Sequence, residues 1–282
     1  MLAFLNGEVV PLEQAVVSVT DRSFRYGDGV FETIPVYHGK PFRWAQHLER
    51  LARGAVFLKI RQPFAPKQLR AYMGELIERN ALPNSVVRLV LSRGVSDRGY
   101  SPAGADSPLV AMTLDPLPEL DPGNPPSWGL KTSSYRLLAS DPLGTFKTNN
   151  KLTHVLARAE AEAAGAEEAL LLNTNGEVAE TSSANIFWIY RDTVFTPPTG
   201  RGALPGITRA VILELCQVLN LPTNKRVIKP ESLARSEGIF LSLSASGIIP
   251  VHSLDDEPVP SSPLVDKIIA AYHEAVRRET GS

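Results

Sequence analysis

The sequence has 282 residues, of which 43% are hydrophobic, and its 29 basic residues are balanced by 30 acidic ones. A nucleic-acid-binding protein usually carries a basic excess, and no apolar run reaches the roughly 18 residues of a membrane span, so we expect neither class. The single cysteine, Cys216, excludes an internal disulfide and a multi-cysteine zinc site. The sequence does not open with a basic and apolar secretion signal, which predicts a cytoplasmic protein.

The first half of the chain alternates β-rich segments with segments whose apolar residues have helical spacing. Strands are predicted over residues 16–19, 30–37, 85–92 and 110–114. A first helix is predicted to begin at Trp44, and a second to end at Asn80. This alternation of short strands and helices is typical of a small α+β domain.

A stretch rich in proline, aspartate and glycine follows this first half. Proline removes a backbone donor and fixes φ, so we expect no regular element there. We predict an α/β protein of two domains: a small α+β domain over residues 1–115, a linker over residues 116–126, and a larger α/β domain over residues 127–282.

The second half restarts with a strand near Leu130. Two helices are predicted, over residues 151–164 and 208–219, and Gly165 stands just after the end of the first. A hairpin is predicted over residues 169–181 and a buried strand over residues 185–190. The residues predicted to face inward are Leu152, Val155, Leu156, Ala159 and Ala163 of the first helix and Val211, Ile212, Leu215, Val218 and Leu219 of the second, with Cys216 in or beside that second face as an inert hydrophobic residue.

Several familiar chemistries have no counterpart in the sequence. It contains no G-x-S-x-G elbow, no Walker loop and no H-E-x-x-H motif. Gly27 and Gly29 lack the third glycine of a dinucleotide-binding loop. The five histidines are scattered without ligand spacing, so we expect surface or helix-face packing for them and no metal site.

Three features suggest chemistry, although each has an ordinary alternative. Lys147 and Lys151 lie close together just before a predicted helix, where surface lysines are common. Glu180 is a lone carboxylate at the end of a predicted strand, where it could simply be solvated. The turn that precedes Thr208 opens directly into a helix, whose free N–H groups and dipole suit a phosphate, although every helix has such a start.

The order of these features, a lysine, then a carboxylate, then a phosphate-binding turn, resembles the class IV (fold type IV) pyridoxal-phosphate enzymes. This family includes branched-chain aminotransferases, D-amino acid aminotransferases and 4-amino-4-deoxychorismate lyases. The resemblance implies a small α+β domain, a larger α/β domain of pseudo-barrel form, a cofactor in the cleft between them, and a homodimer. It is carried by residues 18–33, 47–51, 165–172, 180–187, 196–198, 204–209 and 242–251.

The resemblance also implies roles for individual residues. Lys147 would form the internal Schiff base with pyridoxal 5'-phosphate and then act as acid and base. Glu180 would bond the pyridine nitrogen and keep the ring protonated, which makes it a better electron sink. The residues that would hold the phosphate are Arg50, the backbone N–H groups of Ile207 and Thr208, and the hydroxyl of Ser244.

Three further likenesses favour the lyase branch. Thr33 resembles the lyases, whereas branched-chain enzymes typically have glycine and D-amino acid enzymes valine at that position. The segment over residues 92–101, with Arg98 and Tyr100, is similar to the R-G-x-x-x-R-G-Y segment of the lyases. Lys151 stands where some lyases are basic and branched-chain enzymes usually have tyrosine. Arg98, Tyr100 and Lys151 would therefore bind a substrate with two carboxylates, although surface charge is an equally open reading for Arg98 and Lys151.

These likenesses predict a 4-amino-4-deoxychorismate lyase, which releases pyruvate and 4-aminobenzoate for folate synthesis, with Lys147 and Thr33 as catalytic residues. The alternative is an aminotransferase for D-amino or branched-chain amino acids, because the branches share their cofactor contacts. A more remote alternative is a binding protein that kept the fold and lost the chemistry. In each case we expect a small-molecule ligand and no nucleic-acid or membrane partner.

Overall fold

The computed structural model describes residues 1–118 and 126–281, which divide into two compact units. The first unit comprises Met1–Leu117, Phe146–Asn150 and Glu279–Ser282, and the second comprises Pro118–Thr145 and Lys151–Arg278. Of the predicted linker, residues 119–125 lie outside the described residues. Among the helices described, none is both long and apolar enough to cross a membrane.

The first unit is built on an antiparallel sheet with helices packed against it. Its helices are α1 (Arg22–Tyr26), α2 (Trp44–Leu58) and α3 (Pro66–Arg79). Its strands are β1 (Leu2–Leu5), β2 (Glu8–Pro11), β3 (Gly29–Tyr37), β4 (Lys40–Pro41), β5 (Ser85–Ser92) and β6 (Leu109–Pro116). They lie in the order β2-β1-β6-β5-β3-β4, so β3 and β5 are neighbours over their whole length.

The two faces of β3 have different surroundings, because successive side chains of a strand point to opposite sides. Val30 and Ile34 belong to the hydrophobic core that α2 and α3 complete with Leu51 and Met73. Phe31 and Thr33 therefore point away from that core. This division decides which residues of β3 are available to a ligand.

The second unit contains a mixed sheet and the remaining helices. Its helices are α4 (Leu152–Ala163), α5 (Ile207–Val218), α6 (Pro230–Leu233) and α7 (Pro263–Thr280), the last two residues of α7 belonging to the first unit. Its strands are β7 (Trp128–Leu137), β8 (Glu168–Asn173), β9 (Val178–Thr181), β10 (Asn185–Tyr190), β11 (Thr193–Thr196), β12 (Thr223–Lys225), β13 (Gly238–Leu243), β14 (Gly247–Leu254) and β15 (Glu257–Pro258). Along the sheet the order is β12-β11-β10-β13-β14-β7-β8-β9, and β15 pairs with β14.

Most predicted elements are confirmed to within two residues. The strands over residues 85–92 and 185–190 have the predicted bounds, as β5 and β10. The hairpin is formed by β8 and β9, Asn80 caps α3, and Gly165 follows α4 with a left-handed φ of 81°. These agreements arise where a turn signal and an apolar period coincide in the sequence.

The predicted strand over residues 16–19 is wrong, since this segment has no regular structure. Its valines, Val16, Val17 and Val19, are exposed. β-Branched residues favour a strand only where a neighbouring strand and a packed face are available. With neither present, their intrinsic preference does not produce one.

The predicted inward face of α4 is also wrong. Leu152, Val155 and Leu156 are exposed, and the helix instead packs through Ala157 and Ala161 against β8. Short alanine side chains let the helix approach the sheet closely, which turns the larger apolar residues outward. In α5, Val211 and Ile212 are buried as predicted and Cys216 is fully buried, whereas Val218 is exposed.

Candidate functional site

Lys147 lies in a short segment that pairs with β3 of the first unit. Its backbone carbonyl accepts a hydrogen bond from the Phe31 N–H at 2.9 Å, and Thr148 forms a bridge with Val30. The Lys147 Nζ atom lies 4.5 Å from the centre of the Phe31 ring. The lysine is thus held by a strand-like pairing, and its amine lies on the side of β3 that faces away from the core.

Glu32, a residue of β3, forms a buried ion pair with Arg50 of α2. The Glu32 carboxylate receives two hydrogen bonds of 2.7 Å from Arg50, one from Nε and one from Nη2, and its Oε2 lies 2.6 Å from His47 Nδ1. Burial by itself would raise the pKa of Glu32, but the charge and hydrogen bonds of Arg50 and His47 outweigh it and lower the pKa to about 2. Burial also lowers the pKa of His47, helped by the nearby charges of Arg50 and Lys147.

Arg88, like Lys147, lies against the Phe31 ring. Arg88, on β5, is the cross-strand partner of Thr33, and its Cζ lies 3.5 Å from the centre of the Phe31 ring. Thr33 follows Phe31 by two residues on the same face of β3. An amine, a guanidinium and a hydroxyl therefore lie on one face of this sheet, which suits an anionic substrate whose proton is to be moved.

The segment that carries Arg98 and Tyr100 is organised by Arg22. The Arg22 guanidinium is 4% exposed and donates to the backbone carbonyls of Gly99, Tyr100 and Ser101 at 3.0 to 3.1 Å. Its Nε donates to Asp28 at 2.8 Å. The side chains of Arg98 and Tyr100 are exposed, so they are presented to solvent by a fixed backbone.

Glu180, in the second unit, contacts several hydrogen-bonding groups at the end of β9. Its Oε2 accepts from the Leu204 N–H at 2.8 Å and from Asn185 Nδ2 at 3.4 Å. Its Oε1 lies 3.3 Å from His154 Nε2. Asn185 also donates to the Leu204 carbonyl at 2.8 Å, which fixes the segment that leads into α5.

The start of α5 has the features of a phosphate site. Gly206 is its N-cap, and Ile207 and Thr208 are the first two helical residues, whose N–H groups have no intrahelical acceptor. A Cβ atom at residue 206 would overlap Asn185 Oδ1, so any larger residue there must displace the Asn185 side chain. Ser242 lies opposite Asn185 on the neighbouring strand β13. Its hydroxyl is buried and makes no hydrogen bond to the described residues.

The remaining predicted residues lie at the ends of elements. Ser244 lies in the turn between β13 and β14 and is partly buried. Lys151 is the N-cap residue of α4 and is also partly buried. Their predicted contacts with phosphate and substrate stay predictions.

Five residues near these groups were not predicted from the sequence to have a functional role. Glu32 and Arg88 had a detectable signal, because each is the only charged residue of an otherwise apolar strand, β3 or β5. His47 and His154 were assigned to packing, whereas each contacts a carboxylate, and Asn185 received no role. The partners of these last three lie 5 to 26 positions away in sequence, and such contacts leave no local pattern.

The described residues include each donor that a phosphorylated pyridine aldehyde needs. Lys147 supplies an amine, Glu180 a carboxylate, and α5 a helix start near the Ser242 hydroxyl, which has no hydrogen-bond partner among the described residues. These groups match an aldehyde, a ring nitrogen and a phosphate respectively. The residues present therefore fit pyridoxal 5'-phosphate.

Comparison with known proteins supports this assignment. Residues 29–254 match the family described as amino-transferase class IV. The chain is 32% identical to D-alanine aminotransferase of Staphylococcus aureus (strain MSSA476), over 91% of this chain and 90% of that one. It is 30% identical to aminodeoxychorismate lyase of Bacillus subtilis (strain 168), over 90% and 87%.

A solved structure extends the likeness to the fold. A T.th. branched-chain amino acid aminotransferase with pyridoxamine 5'-phosphate superposes with a TM-score of 0.91 and 28% identity, covering 99% of this chain and 94% of that one. The predicted α/β architecture of fold type IV is thereby confirmed.

Proposed function

The chain belongs to the class IV aminotransferase family, and we propose that it is a pyridoxal-phosphate-dependent lyase that converts 4-amino-4-deoxychorismate to 4-aminobenzoate and pyruvate. Its cofactor is pyridoxal 5'-phosphate, the aldehyde counterpart of the compound bound in the similar branched-chain aminotransferase structure. We propose a homodimer that acts in the cytoplasm on a small amine that carries carboxylates.

Five residues would hold the cofactor. Lys147 would bind it covalently through Nζ, and Glu180 would accept a hydrogen bond from its ring nitrogen. The N–H groups of Ile207 and Thr208 would bind its phosphate, together with Arg50. When bound, the cofactor supplies an electron-withdrawing ring that makes a proton on the carbon next to the substrate amine labile.

Lys147 would then move that proton. Once the substrate amine has displaced the Lys147 amine, the Lys147 Nζ atom would be free to take the proton from C4 of the substrate ring. Loss of this proton and departure of pyruvate leave the ring aromatic, and no oxidant or second substrate is needed. Aromatisation supplies the driving force, so the protein needs only a positioned base and an anchored substrate.

The observation that carries the lyase proposal is the set of groups around Phe31. Arg88 and the Lys147 amine both lie within 4.5 Å of the centre of its ring, and Thr33 is on the same face of β3. Arg88 can bind one carboxylate, and the exposed Arg98 is available for a second. The Thr33 hydroxyl can orient the departing group, which the valine or glycine typical of the other branches cannot do.

An aminotransferase is the second candidate, because the D-alanine aminotransferase is as similar in sequence as the lyase. It would use the same lysine and cofactor contacts and would return the proton to the cofactor instead of expelling pyruvate. The same face of β3 would then bind the single carboxylate of an amino acid.

Borohydride reduction and peptide mapping test the premise that both candidates share. We expect the reduced cofactor on Lys147, and a label elsewhere or no label would contradict both. A substrate panel separates them. We expect fluorescent 4-aminobenzoate from 4-amino-4-deoxychorismate, and little turnover of D-alanine or L-leucine with 2-oxoglutarate. The reverse result would reject the lyase in favour of the aminotransferase.

A further inference from the structure

His154 occupies a position that the proposed mechanism does not use. It lies in the first turn of α4, and its Nε2 atom is 3.3 Å from Glu180 Oε1. The imidazole side chain is 14% exposed. Its other nitrogen, Nδ1, is buried and has no hydrogen-bond partner among the described residues.

The environment of Nδ1 decides which form of the imidazole fits. A protonated imidazole has two N–H donors, and the one at Nδ1 would be buried without an acceptor, which is costly for a charged group. The neutral form with its proton on Nε2 needs only one acceptor, and Glu180 Oε1 is that acceptor. His154 therefore gives Glu180 a hydrogen bond without a positive charge.

Among the described residues, three donors bond the Glu180 carboxylate, which leaves one acceptor position for a ligand. A carboxylate has about four acceptor positions. His154, Asn185 and the Leu204 N–H occupy three of them, and all three groups are neutral when His154 is neutral. Neutral donors stabilise the anion and fix its orientation, whereas a cationic partner would cancel the charge that a protonated ring nitrogen requires.

We propose that His154 is a positioning residue: as a neutral imidazole it donates from Nε2 to Glu180 and holds this carboxylate as an oriented anion for the cofactor's ring nitrogen. This inference rests on the proposed cofactor and applies to lyase and aminotransferase alike. Through Glu180, His154 would control whether the ring nitrogen is protonated, and the strength of the electron sink depends on that protonation.

The test compares His154→Leu, which removes the donor, with His154→Gln, whose side-chain amide can still donate. Two readouts report on the ring nitrogen and not on turnover. One is the ¹⁵N chemical shift of bound [¹⁵N]pyridoxal 5'-phosphate. The other is the affinity of the apoenzyme for this cofactor and for its 1-deaza analogue, in which carbon replaces the ring nitrogen. His273→Leu makes the same change at an exposed histidine of α7.

For H154L we expect roughly 3- to 10-fold weaker binding of pyridoxal phosphate, the effect of losing one hydrogen bond, and a shift toward the unprotonated pyridine. Binding of the 1-deaza analogue should change by less than about 2-fold, because that analogue makes no bond to Glu180. H154Q and His273→Leu should resemble the wild type in both readouts.

Two results would overturn the inference. One is an unchanged ¹⁵N shift in H154L, and the other is equal weakening of both cofactors, which is what a purely structural role predicts. If the wild-type protein itself binds no cofactor at Lys147, the proposed function fails together with the inference. If the cofactor is bound at Lys147 and H154L has the ¹⁵N shift and cofactor affinity of the wild type, only the inference fails.

Discussion

At the scale of single residues, the buried carboxylate of Glu32 contributes to stability through its partners. It is fully buried, and its partners Arg50 and His47 are nearly so. A buried ion pair gains little over an apolar pair, but removal of one partner leaves an uncompensated charge. Glu32 therefore keeps Arg50 ordered in the interior of the first unit.

We expect Glu32→Gln to lower the free energy of unfolding by about 3 to 5 kcal/mol, because it removes the buried carboxylate to which both Arg50 and His47 are hydrogen-bonded. Urea denaturation measures this change. The control is Glu75→Gln, which breaks an exposed pair with Arg79 and should cost less than about 1 kcal/mol. Similar losses in the two variants would contradict the role given to Glu32.

The same groups predict how stability depends on pH. The pKa of Glu32 is lowered from 4.5 to about 2, so its contribution is complete above pH 4.5 and is lost as the pH falls toward 2. The pKa of His47 is lowered from 6.5, so the unfolded chain takes up this proton first and stability begins to fall below pH 6.5. Melting temperatures measured between pH 7 and pH 3 should decline throughout, and E32Q should decline less steeply below pH 4.5. Parallel curves for the two proteins would refute this assignment.

For Thr33 we expect a catalytic effect without a binding effect. Thr33→Val keeps the shape of the side chain and removes the hydroxyl, so lyase turnover should fall roughly 10- to 100-fold, the scale of one transition-state hydrogen bond, while cofactor affinity stays the same. Thr113→Val makes the same change on β6, opposite Arg88 on the side away from Thr33, and should leave both quantities unchanged. Equal loss of turnover and cofactor affinity in T33V would reject the catalytic role.

At the scale of elements, the start of α5 lies in close contact with the side chain of Asn185. Gly206 lies against Asn185, and Asn185 in turn bonds Leu204 and Glu180. The absence of a side chain at Gly206 therefore leaves Asn185 free to bond Glu180, the proposed partner of the ring nitrogen.

We expect Gly206→Ala to destabilise the protein by about 1 to 3 kcal/mol, because the added methyl group must displace Asn185, and to weaken cofactor binding. Gly74→Ala, within α3, meets no atom within 4 Å and should instead stabilise by about 0.5 to 1 kcal/mol through helix propensity. Thermal melts and cofactor titration of the two variants measure both effects. A Gly206→Ala protein that binds cofactor like the wild type would show that the contact with Asn185 is not needed.

At the scale of the whole molecule, the outward face of α4 bears on the proposed homodimer. Leu152, Val155 and Leu156 are large, apolar and exposed on one helix, and a contiguous patch of this kind is typical of an interaction surface. Burial of each such side chain contributes about 1.5 to 3 kcal/mol. A second copy of the chain is the partner that the proposed function supplies.

Sedimentation velocity should therefore give twice the mass of one chain. The double substitution of Leu152 and Val155 by lysine should shift the protein toward the monomer, because it brings two charges into the contact. Val218→Lys, at an exposed residue of α5, should leave the mass unchanged. A wild-type monomer would contradict the homodimer, and a double variant that stays dimeric would exclude this face of α4.

The sequence by itself determined the elements and the candidate residues whose signals are local. The bounds of β5 and β10, the C-terminal ends of α3 and α4, and the start of α5, predicted at Thr208 and found at Ile207, follow from periodicity and turn residues within a few positions of the chain. Lys147 and Glu180 were singled out because their order along the chain is a pattern that one sequence displays.

Only the tertiary structure decided which groups meet. The pairing of Glu32 with Arg50, the stacking of Arg88 on Phe31 and the contact of His154 with Glu180 join residues whose separation in sequence carries no signal. The exposed valines over residues 16–19 and the outward face of α4 have the same origin. Propensity and periodicity describe what a segment can bury, whereas packing against the rest of the chain decides what it does bury.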